Sequence, residues 1–137
     1  DEVSDPGNLG TLIRTASWFN IKNIALSKNS VDPYNSKVIR SAVGTHTYSN
    51  IYSNIDFDVF KNHDYYAIGA DQNSTSTIEK IDTKKKLIIV LGGEATGISQ
   101  PIKAKLDEIV SIPKLGYGES LNVSSAGSIL MYKLSKK

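Results

Sequence analysis

The sequence predicts an α/β fold in which a mostly parallel sheet is flanked by helices. Short apolar runs recur along the chain, and the clearest of them, residues 87–91, is continuous and rich in β-branched residues. Runs of this kind are typical of strands that are buried on both faces of a parallel sheet. Between them lie segments whose apolar residues recur at helical spacing. This alternation of strands and helices favours a parallel sheet with helices on both faces.

The length and composition indicate a single globular domain over residues 1–137. Hydrophobic residues make up 39% of the chain and charged residues 22%, which is ordinary for a domain with a core of its own. No apolar run approaches the roughly 20 residues of a membrane span, and no signal-peptide pattern is present, so we expect a cytoplasmic protein. The chain reaches a helix-start signal almost at once, which suggests a fragment of a longer protein.

The same composition limits the partners. Cysteine is absent, which excludes disulfides and thiolate metal ligands, and the two histidines, His46 and His63, are isolated from each other. We therefore expect no metal. The formal net charge of +2 is compatible with an RNA substrate but does not require one, because dedicated nucleic-acid binders are usually more basic.

The first helix is predicted to start at Asp5 and Pro6, since Asp can cap a helix and Pro fits its first turn. Asn20, a residue that tolerates the left-handed conformation, is expected to end it. Residues 24–26 then form a short buried strand. The apolar face of the helix consists of Leu9, Leu12, Ile13, Ala16 and Phe19.

Shorter elements are predicted in the middle of the chain. Ser36 is expected to cap a helix that runs through Val43 and that Gly44 ends. Residues 45–52 alternate loosely and fit either a strand or an extended edge. The next elements are a short helix over 56–63 with Phe57 and Phe60 facing inward, a strand over 65–70 and a polar loop over 71–77.

The last third of the chain begins with a basic run, 84–86, which is most simply the solvated entry to the strand at 87–91. A short helix over 98–106 carries Pro101 in its first turn, and 109–113 form the last strand. A closing helix over 121–134 is predicted to face the core with Val123, Ala126, Leu130 and Leu134.

Five polar side chains stand at or near the ends of predicted elements, where open α/β sheets bind their ligands. Each has an ordinary structural explanation as well: Ser120 can cap the last helix, Glu94 can bind loop amides, and Arg14 can be a solvated surface residue. Nearby glycines at 92, 93 and 97 would let a ligand approach the backbone closely. The five are Asn8 and Arg14 on the first helix, Glu94 after the strand at 87–91, and Ser120 and Asn122 at the start of the last helix.

Several common site patterns are absent from the sequence. It has no G-x-G-x-x-G fingerprint, no P-loop lysine pattern, no G-x-S-x-G elbow and no workable Ser-His-Asp set. A phosphate-transfer or hydrolase function is therefore disfavoured. A flavodoxin-like nucleotide domain would need a phosphate loop after the first strand, and residues 27–30 fit one poorly.

Three segments taken together resemble the motifs of the SpoU (TrmH-like) RNA ribose methyltransferases. Residues 5–16 resemble the first motif, 91–97 the second and 112–126 the third, in the order and spacing of the family. Residues 32–35, with Lys37, Arg40 and Gly44, resemble the segment between the first two motifs. The sequence departs from the family at Ala95, where Gly is usual, and at Asn20 and Lys114.

The resemblance implies the SPOUT fold, in which the C-terminal segment threads through a loop to form a trefoil knot. It further implies that S-adenosylmethionine is bound in the knot, largely by backbone groups, at Gly92, Ile112 and Leu121. The methyl group would pass to a ribose 2′-hydroxyl of ribosomal or transfer RNA.

Site roles also follow from the resemblance. The family assigns activation of the hydroxyl to the arginine at the position of Arg14. Because an arginine is almost always charged, we expect it to orient the hydroxyl and a phosphate instead of acting as a free base. The side chains that would position the hydroxyl and Arg14 are Asn8, Glu94, Ser120 and Asn122.

The family works as a homodimer whose site is completed across the interface, so Arg14 would act on cofactor bound by the other chain. Trp18 is a candidate interface anchor, although the core is the commoner place for a Trp. An additional N-terminal RNA-binding domain is expected outside residues 1–137. Lys37 and Arg40 fit either contacts to RNA phosphate or a solvated helix face. The alternative function is that of a catalytically silent RNA-binding relative with the same fold.

Overall fold

The computed structural model describes residues 1–61, 63–81 and 86–135, and it has the predicted alternation of helices and strands. The described helices are α1 (Pro6–Trp18), α2 (Ser36–Ala42), α3 (Gln100–Lys103) and α4 (Val123–Ser135). The described strands are β1 (Asn23–Ala25), β2 (Asn50–Tyr52), β3 (Tyr66–Ala70), β4 (Leu87–Val90) and β5 (Glu108–Val110). Short 3₁₀ helices are found at Thr45–Tyr48, Phe57–Phe60 and Ile78–Lys80.

The strands pair in parallel, as predicted, but within the described residues they form two sheets. β1 pairs with β2, and the other sheet has the order β4-β3-β5. β4, which was expected to be buried on both faces, is therefore an edge strand among the described residues, and of its four residues only Val90 is buried. The centre of the larger sheet is β3, with Ala67, Ile68 and Gly69 buried. Helices flank these sheets, which confirms the α/β class, and the trefoil knot stays a prediction.

Helix α1 packs against both α2 and α4. Gly10 allows the close approach of α2, since a Cβ on Gly10 would lie 2.4 Å from Ser41 Cβ and 2.7 Å from the Val38 carbonyl oxygen. The left-handed end of α1 is confirmed, because Asn20 has a φ of 57°. The predicted face of α1 is confirmed as well, with Phe19 half-buried and the others buried: Leu9, Leu12, Ile13 and Ala16.

The ends of α2 differ from the prediction. Its cap is Asn35 instead of Ser36, because Asn35 Oδ1 accepts a 2.9 Å hydrogen bond from the Lys37 N–H. The helix ends at Ala42, and Val43 already has the left-handed conformation. The segment 45–52, for which strand and extended edge were both open, holds a 3₁₀ helix followed by β2.

Three other predicted elements are shorter in the structure. The helix expected over 56–63 is the single 3₁₀ turn Phe57–Phe60, although Phe57 is buried and Phe60 half-buried as predicted. The helix expected over 98–106 is reduced to α3, and the strand expected over 109–113 to β5. In the two helical segments, packing in one apolar cluster that includes Phe57, Ile98 and Ile102 holds the chain without a long regular helix.

Helix α4 begins two residues later than predicted. Val123 and Leu130 are buried, but Ala126 and Leu134 are only half-buried, and the core positions between them are taken by Gly127 and Met131.

Two other observations concern the surface of the chain. In the basic run, Lys84 and Lys85 lie outside the described residues, and Lys86 is exposed. Among the described helices, none is long and apolar enough to cross a membrane.

Candidate active site

Three of the five predicted polar side chains form one hydrogen-bonded chain. Asn8 Nδ2 donates to Glu94 Oε1 at 2.6 Å, and Asn122 Nδ2 donates to Asn8 Oδ1 at 3.0 Å. These contacts join residues that are 86 and 114 positions apart in the sequence. The start of α1, the loop after β4 and the start of α4 therefore meet at one place.

The direction of this chain is set at both of its ends. Asn122 Oδ1 accepts from the Ser124 N–H at 2.9 Å and from Ser124 Oγ at 2.6 Å. A backbone N–H can only donate, so the amide nitrogen of Asn122 must point toward Asn8. An ionised carboxylate has no hydrogen to donate and acts only as an acceptor, so the amide nitrogen of Asn8 must point toward Glu94. The hydrogen-bond partners therefore determine the orientation of both amides, and each amide nitrogen donates in the direction of Glu94.

Helix starts hold the two asparagines in place. Asp5 caps α1 and accepts a 2.8 Å hydrogen bond from the Asn8 N–H. Asn122, not Ser120, bonds the first turn of α4, so the alternative interpretation of Ser120 as a helix cap is wrong and its place in the site stays a prediction. Ser124, the partner of Asn122, was not among the predicted site residues. An Asn directly before the first residue of a helix is the pattern of such a cap, with its side chain bonding the N–H two positions later, and this signal could have identified it.

Glu94 stands at the tip of a tight turn. The Gly97 N–H donates to the Gly93 carbonyl oxygen at 2.9 Å, and Gly97 has a φ of +66°, which favours glycine. A Cβ on Gly92 would lie 2.0 Å from the Gly97 carbonyl carbon. Gly92 is therefore required by the fold of the loop itself, and its role in a close approach of a ligand stays a prediction. Ala95 is not among the described residues with positive φ. Alanine therefore fits at this position, where the family that the segment resembles usually has glycine.

The carboxylate of Glu94 is exposed and has one oxygen left for a ligand. Its Oε1 accepts from Asn8, while Oε2 accepts no hydrogen bond from the described residues. An anchored carboxylate of this kind can accept from a hydroxyl or from a guanidinium, and charge-assisted bonds of this type are strong.

Arg14 and Ser120 are not drawn into the chain of hydrogen bonds. Arg14 lies on the exposed side of α1 and has no hydrogen bond or ion pair with the described residues. It is six residues beyond Asn8, which is about 9 Å along a helix. Ser120 is also exposed. The described chain therefore assembles Asn8, Glu94 and Asn122 and leaves the predicted arginine facing outward.

The predicted cofactor positions lie on two irregular segments. Gly92 and Ile112 are half-buried, and Leu121 is 53% exposed. Residues 112–121 make no backbone–backbone hydrogen bond with the described residues. Apart from the Gly118 carbonyl oxygen, which accepts from Lys114 Nζ at 2.5 Å, their backbone groups are therefore available to a ligand. Within this segment Leu115 and Tyr117 are fully exposed, although large apolar side chains are usually at least partly covered.

Lys37 and Arg40 on α2 are exposed. Exposure is consistent both with contacts to RNA phosphate and with a solvated helix face.

Comparison with known proteins gives one family and a consistent set of relatives. The model of the SpoU rRNA Methylase family matches residues 1–132. The 23S rRNA (guanosine(2553)-2'-O)-methyltransferase RlmP of Bacillus subtilis is 32% identical over 98% of this chain, and the match spans 55% of that relative. The chain thus spans about half the length of the curated relatives it matches.

Solved structures show the same fold. An AdoMet-bound rRNA methyltransferase from Sinorhizobium meliloti superposes with a TM-score of 0.90 at 26% identity, covering 98% of this chain and 53% of the other. The SpoU methyltransferase AviRb from Streptomyces viridochromogenes, in complex with AdoMet, gives a TM-score of 0.91 at 23% identity, covering 99% and 57%.

Proposed function

Because the chain belongs to the SpoU rRNA methylase family, we propose that it is the catalytic domain of an RNA methyltransferase that acts on a ribose 2′-hydroxyl. The observation that carries the proposal is the chain of hydrogen bonds from Asn122 through Asn8 to Glu94, which brings all three predicted motif segments to one place. The 2′-O position is supported by the relative from Bacillus subtilis, which is named for that reaction. The RNA is ribosomal or transfer RNA.

S-adenosylmethionine is the cofactor we propose, and the residues at the site fit it. The free backbone groups of residues 112–121 can hydrogen-bond an adenine, and Ile112 and Leu121 offer apolar surface beside them. Gly92 brings the backbone of the neighbouring loop to the same region. When bound, the cofactor supplies a methyl group on a positively charged sulfur. Both solved relatives described above were crystallised with this molecule.

The protein must then orient a weak nucleophile and help it to lose a proton. Arg14 would bind a phosphate of the RNA and the 2′-hydroxyl with its planar, two-pronged guanidinium. Glu94 would accept from that guanidinium or from the hydroxyl through Oε2, while Asn8 holds Oε1. Asn122 keeps Asn8 in the required orientation, and Ser120 would contact the ribose. General acid–base assistance of this kind contributes roughly 100- to 10,000-fold.

A homodimer completes this site. Arg14 points outward from its own chain, and Trp18, four residues further along α1, is 84% exposed. Burying Trp18 against a second copy would cover apolar surface and carry Arg14 toward the partner's Glu94. Lys37 and Arg40 on α2 would contact phosphate. A further RNA-binding domain in the longer protein would select the RNA, and a cytoplasmic location stays a prediction.

The proposal is tested with the full-length protein. Calorimetry should detect S-adenosylmethionine binding, and a labelled methyl group should pass to RNA from cells that lack the enzyme. Binding of the RNA without binding of the cofactor would instead identify a catalytically silent relative.

A further inference from the structure

The segments on the two sides of α2 meet at one place on the surface. His46 Nε2 donates to the Pro33 carbonyl oxygen at 2.8 Å, which ties the 3₁₀ helix after α2 to the loop before it. The carbonyl can only accept, so the imidazole carries a proton on Nε2. The Tyr34 ring lies against this imidazole, with the ring centroids 5.9 Å apart and 40° between the ring planes. We call Tyr34 and His46 the aromatic platform.

Tyr34 presents this platform to solvent. It is 61% exposed, and its hydroxyl makes no hydrogen bond with the described residues. Its backbone is held all the same, because the Tyr34 N–H donates to Asp32 Oδ1 at 2.9 Å and the preceding Pro33 is buried. A tyrosine ring that is fixed in place and left uncovered offers a partner a large contact area at a small cost in conformational entropy.

A strained turn brings His46 to this position. Val43 and Gly44, which follow α2, both have left-handed backbone conformations, with φ values of 52° and 77°. Glycine adopts this conformation freely, but for a β-branched valine it is an outlier. Backbone strain of this kind is concentrated at functional sites, where the surrounding structure maintains it. The strain at Val43 is therefore consistent with a functional role for the surface that the turn builds.

Two cations stand beside the platform on α2. Lys37 and Arg40 are three positions apart, so they lie on one side of the helix. Both are exposed, and their side chains make no hydrogen bond or ion pair with the described residues. Residues 33–55 include these two basic residues and no acidic one, so this segment alone has the formal charge of +2 that the whole chain has. A polyanion is the partner that this charge fits.

The surface adjoins the proposed active site. Helix α2 packs on α1 at Gly10, where an added Cβ would lie 2.4 Å from Ser41 Cβ. Gly10 lies between Asn8 and Arg14 in α1, and Arg14 is one helical turn beyond it on the same face. The 3₁₀ helix that carries His46 contacts α1 as well. An RNA strand whose ribose lies at Asn8 and Arg14 can therefore continue across α2.

We propose that the aromatic platform stacks a base of an unpaired RNA segment beside the methylated nucleotide, while Lys37 and Arg40 bind the phosphates of that segment. Every base has a π-face that can cover a tyrosine ring, whereas bases inside a duplex are already stacked on one another. The surface therefore selects an unpaired strand. This inference rests on RNA as the ligand of the proposed function, and it does not depend on which group of the RNA is methylated.

Fluorescence anisotropy of the full-length protein with a short labelled oligoadenylate tests the platform, and an RNA duplex of the same length is the comparison. Tyr34→Ala and Tyr34→Leu should weaken binding of the single strand roughly 5- to 100-fold, because each removes the ring on which a base stacks. Tyr34→Phe keeps the ring and should bind as the parent does. Affinity for the duplex should not change. Tyr52→Ala, at a tyrosine of β2 that is 49% exposed, is the matched control.

The salt dependence of the same binding separates the ring from the cations. Lys37→Ala and Arg40→Ala should each reduce the slope of log affinity against log salt by about 0.7, the value for one phosphate of a single strand. Tyr34→Ala should lower the affinity at every salt concentration and keep the parental slope. Equal single-strand affinity in Tyr34→Ala and Tyr52→Ala would overturn the inference, as would equally weak binding by Tyr34→Phe and Tyr34→Ala.

The outcomes also distinguish this inference from the proposed function. Active methylation together with parental oligoadenylate affinity in Tyr34→Ala would reject the platform alone. Binding that depends on the Tyr34 ring in a protein that transfers no methyl group would support the platform and reject the enzyme. If sedimentation showed that Tyr34→Ala loses dimer while its RNA affinity is unchanged, the surface would be an interface between copies of the chain and the inference would be wrong.

Discussion

Asn8 Nδ2 lies 2.6 Å from Glu94 Oε1, so one amide–carboxylate hydrogen bond ties the first turn of α1 to the loop after β4. The bond leaves the second carboxylate oxygen facing solvent. It also makes the orientation of Glu94 depend on Asn122, which bonds the other end of the Asn8 amide at 3.0 Å.

Replacing Glu94 with glutamine removes the negative charge of the side chain and keeps its shape, so this variant tests the role of the charge. Glu94→Gln keeps an oxygen for Asn8, and the side chain is exposed, so the free energy of unfolding should change by less than about 1 kcal/mol. Hydrogen bonds to charged groups contribute about 1.5–3 kcal/mol, so methylation should fall roughly 10- to 100-fold. The control is Glu79→Gln, at an exposed carboxylate of a 3₁₀ helix. If Glu94→Gln turned over at the parental rate, the charge of Glu94 would have no part in methylation.

Leu121→Ala tests the cofactor position. Leu121 is 53% exposed in this chain, so its truncation should leave the folded state nearly as stable as the parent. If its side chain covers the adenine, the loss of one buried aliphatic contact of about 1.5 kcal/mol should weaken S-adenosylmethionine binding roughly 10-fold in calorimetry. Val59→Ala, at a site that is 48% exposed, is the matched control. Equal affinity in Leu121→Ala and Val59→Ala would place the adenine elsewhere.

A bulky residue at Gly92 is a poorer test of the pocket. A Cβ at this position would overlap the backbone at Gly97 and Ile98, so Gly92→Val should lower stability together with cofactor binding. Its effect on binding cannot then be separated from unfolding of the loop.

The stability of the 137-residue chain should depend on pH through the Asp1 amino group. Its folded pKa, about 6, lies below the ordinary value of 8.0, so the unfolded chain binds a proton between pH 8 and pH 6 that the folded chain does not. The free energy of unfolding should therefore fall by about 2 to 3 kcal/mol as the pH drops through this window. Urea unfolding at several pH values measures this, and N-acetylation should abolish the part due to Asp1. An unchanged pH dependence after acetylation would contradict the burial of this ammonium.

Arg14→Ala should spare the fold and remove the activity. Because Arg14 is exposed and makes no bond with the described residues, its loss should change stability by less than about 0.5 kcal/mol. Methylation by the full-length protein should fall roughly 100- to 10,000-fold. Arg14→Lys should restore little, since an ammonium cannot make the planar two-pronged contact. If Arg14 acts across a dimer, mixing Arg14→Ala with Leu121→Ala should recover part of the activity at a cofactor concentration too low for Leu121→Ala alone.

The sequence predicted the fold class and part of the site because both depend on local patterns. Apolar runs and helical spacing indicate strands and helices, and polar residues at their ends gather where parallel strands finish, as Asn8, Glu94 and Asn122 do. The edge position of β4 depends on which strands pair with one another. The residue types at 87–91 do not determine that pairing. The role of Gly92 depends on a contact with Gly97, which only the folded turn reveals. Asn35 and Ser36 are both residue types that cap helices, so the backbone geometry decides which of them caps α2.

The position of the transferred methyl group tests the central claim most directly. The full-length protein is incubated with labelled S-adenosylmethionine and RNA from cells that lack the enzyme, and the RNA is then hydrolysed in alkali. Alkaline cleavage requires a free 2′-hydroxyl, so the account predicts that the label appears in one alkali-resistant dinucleotide, and that Arg14→Ala does not produce it. Label recovered in a mononucleotide would mean that the methyl group is on a base, and this result would contradict the account.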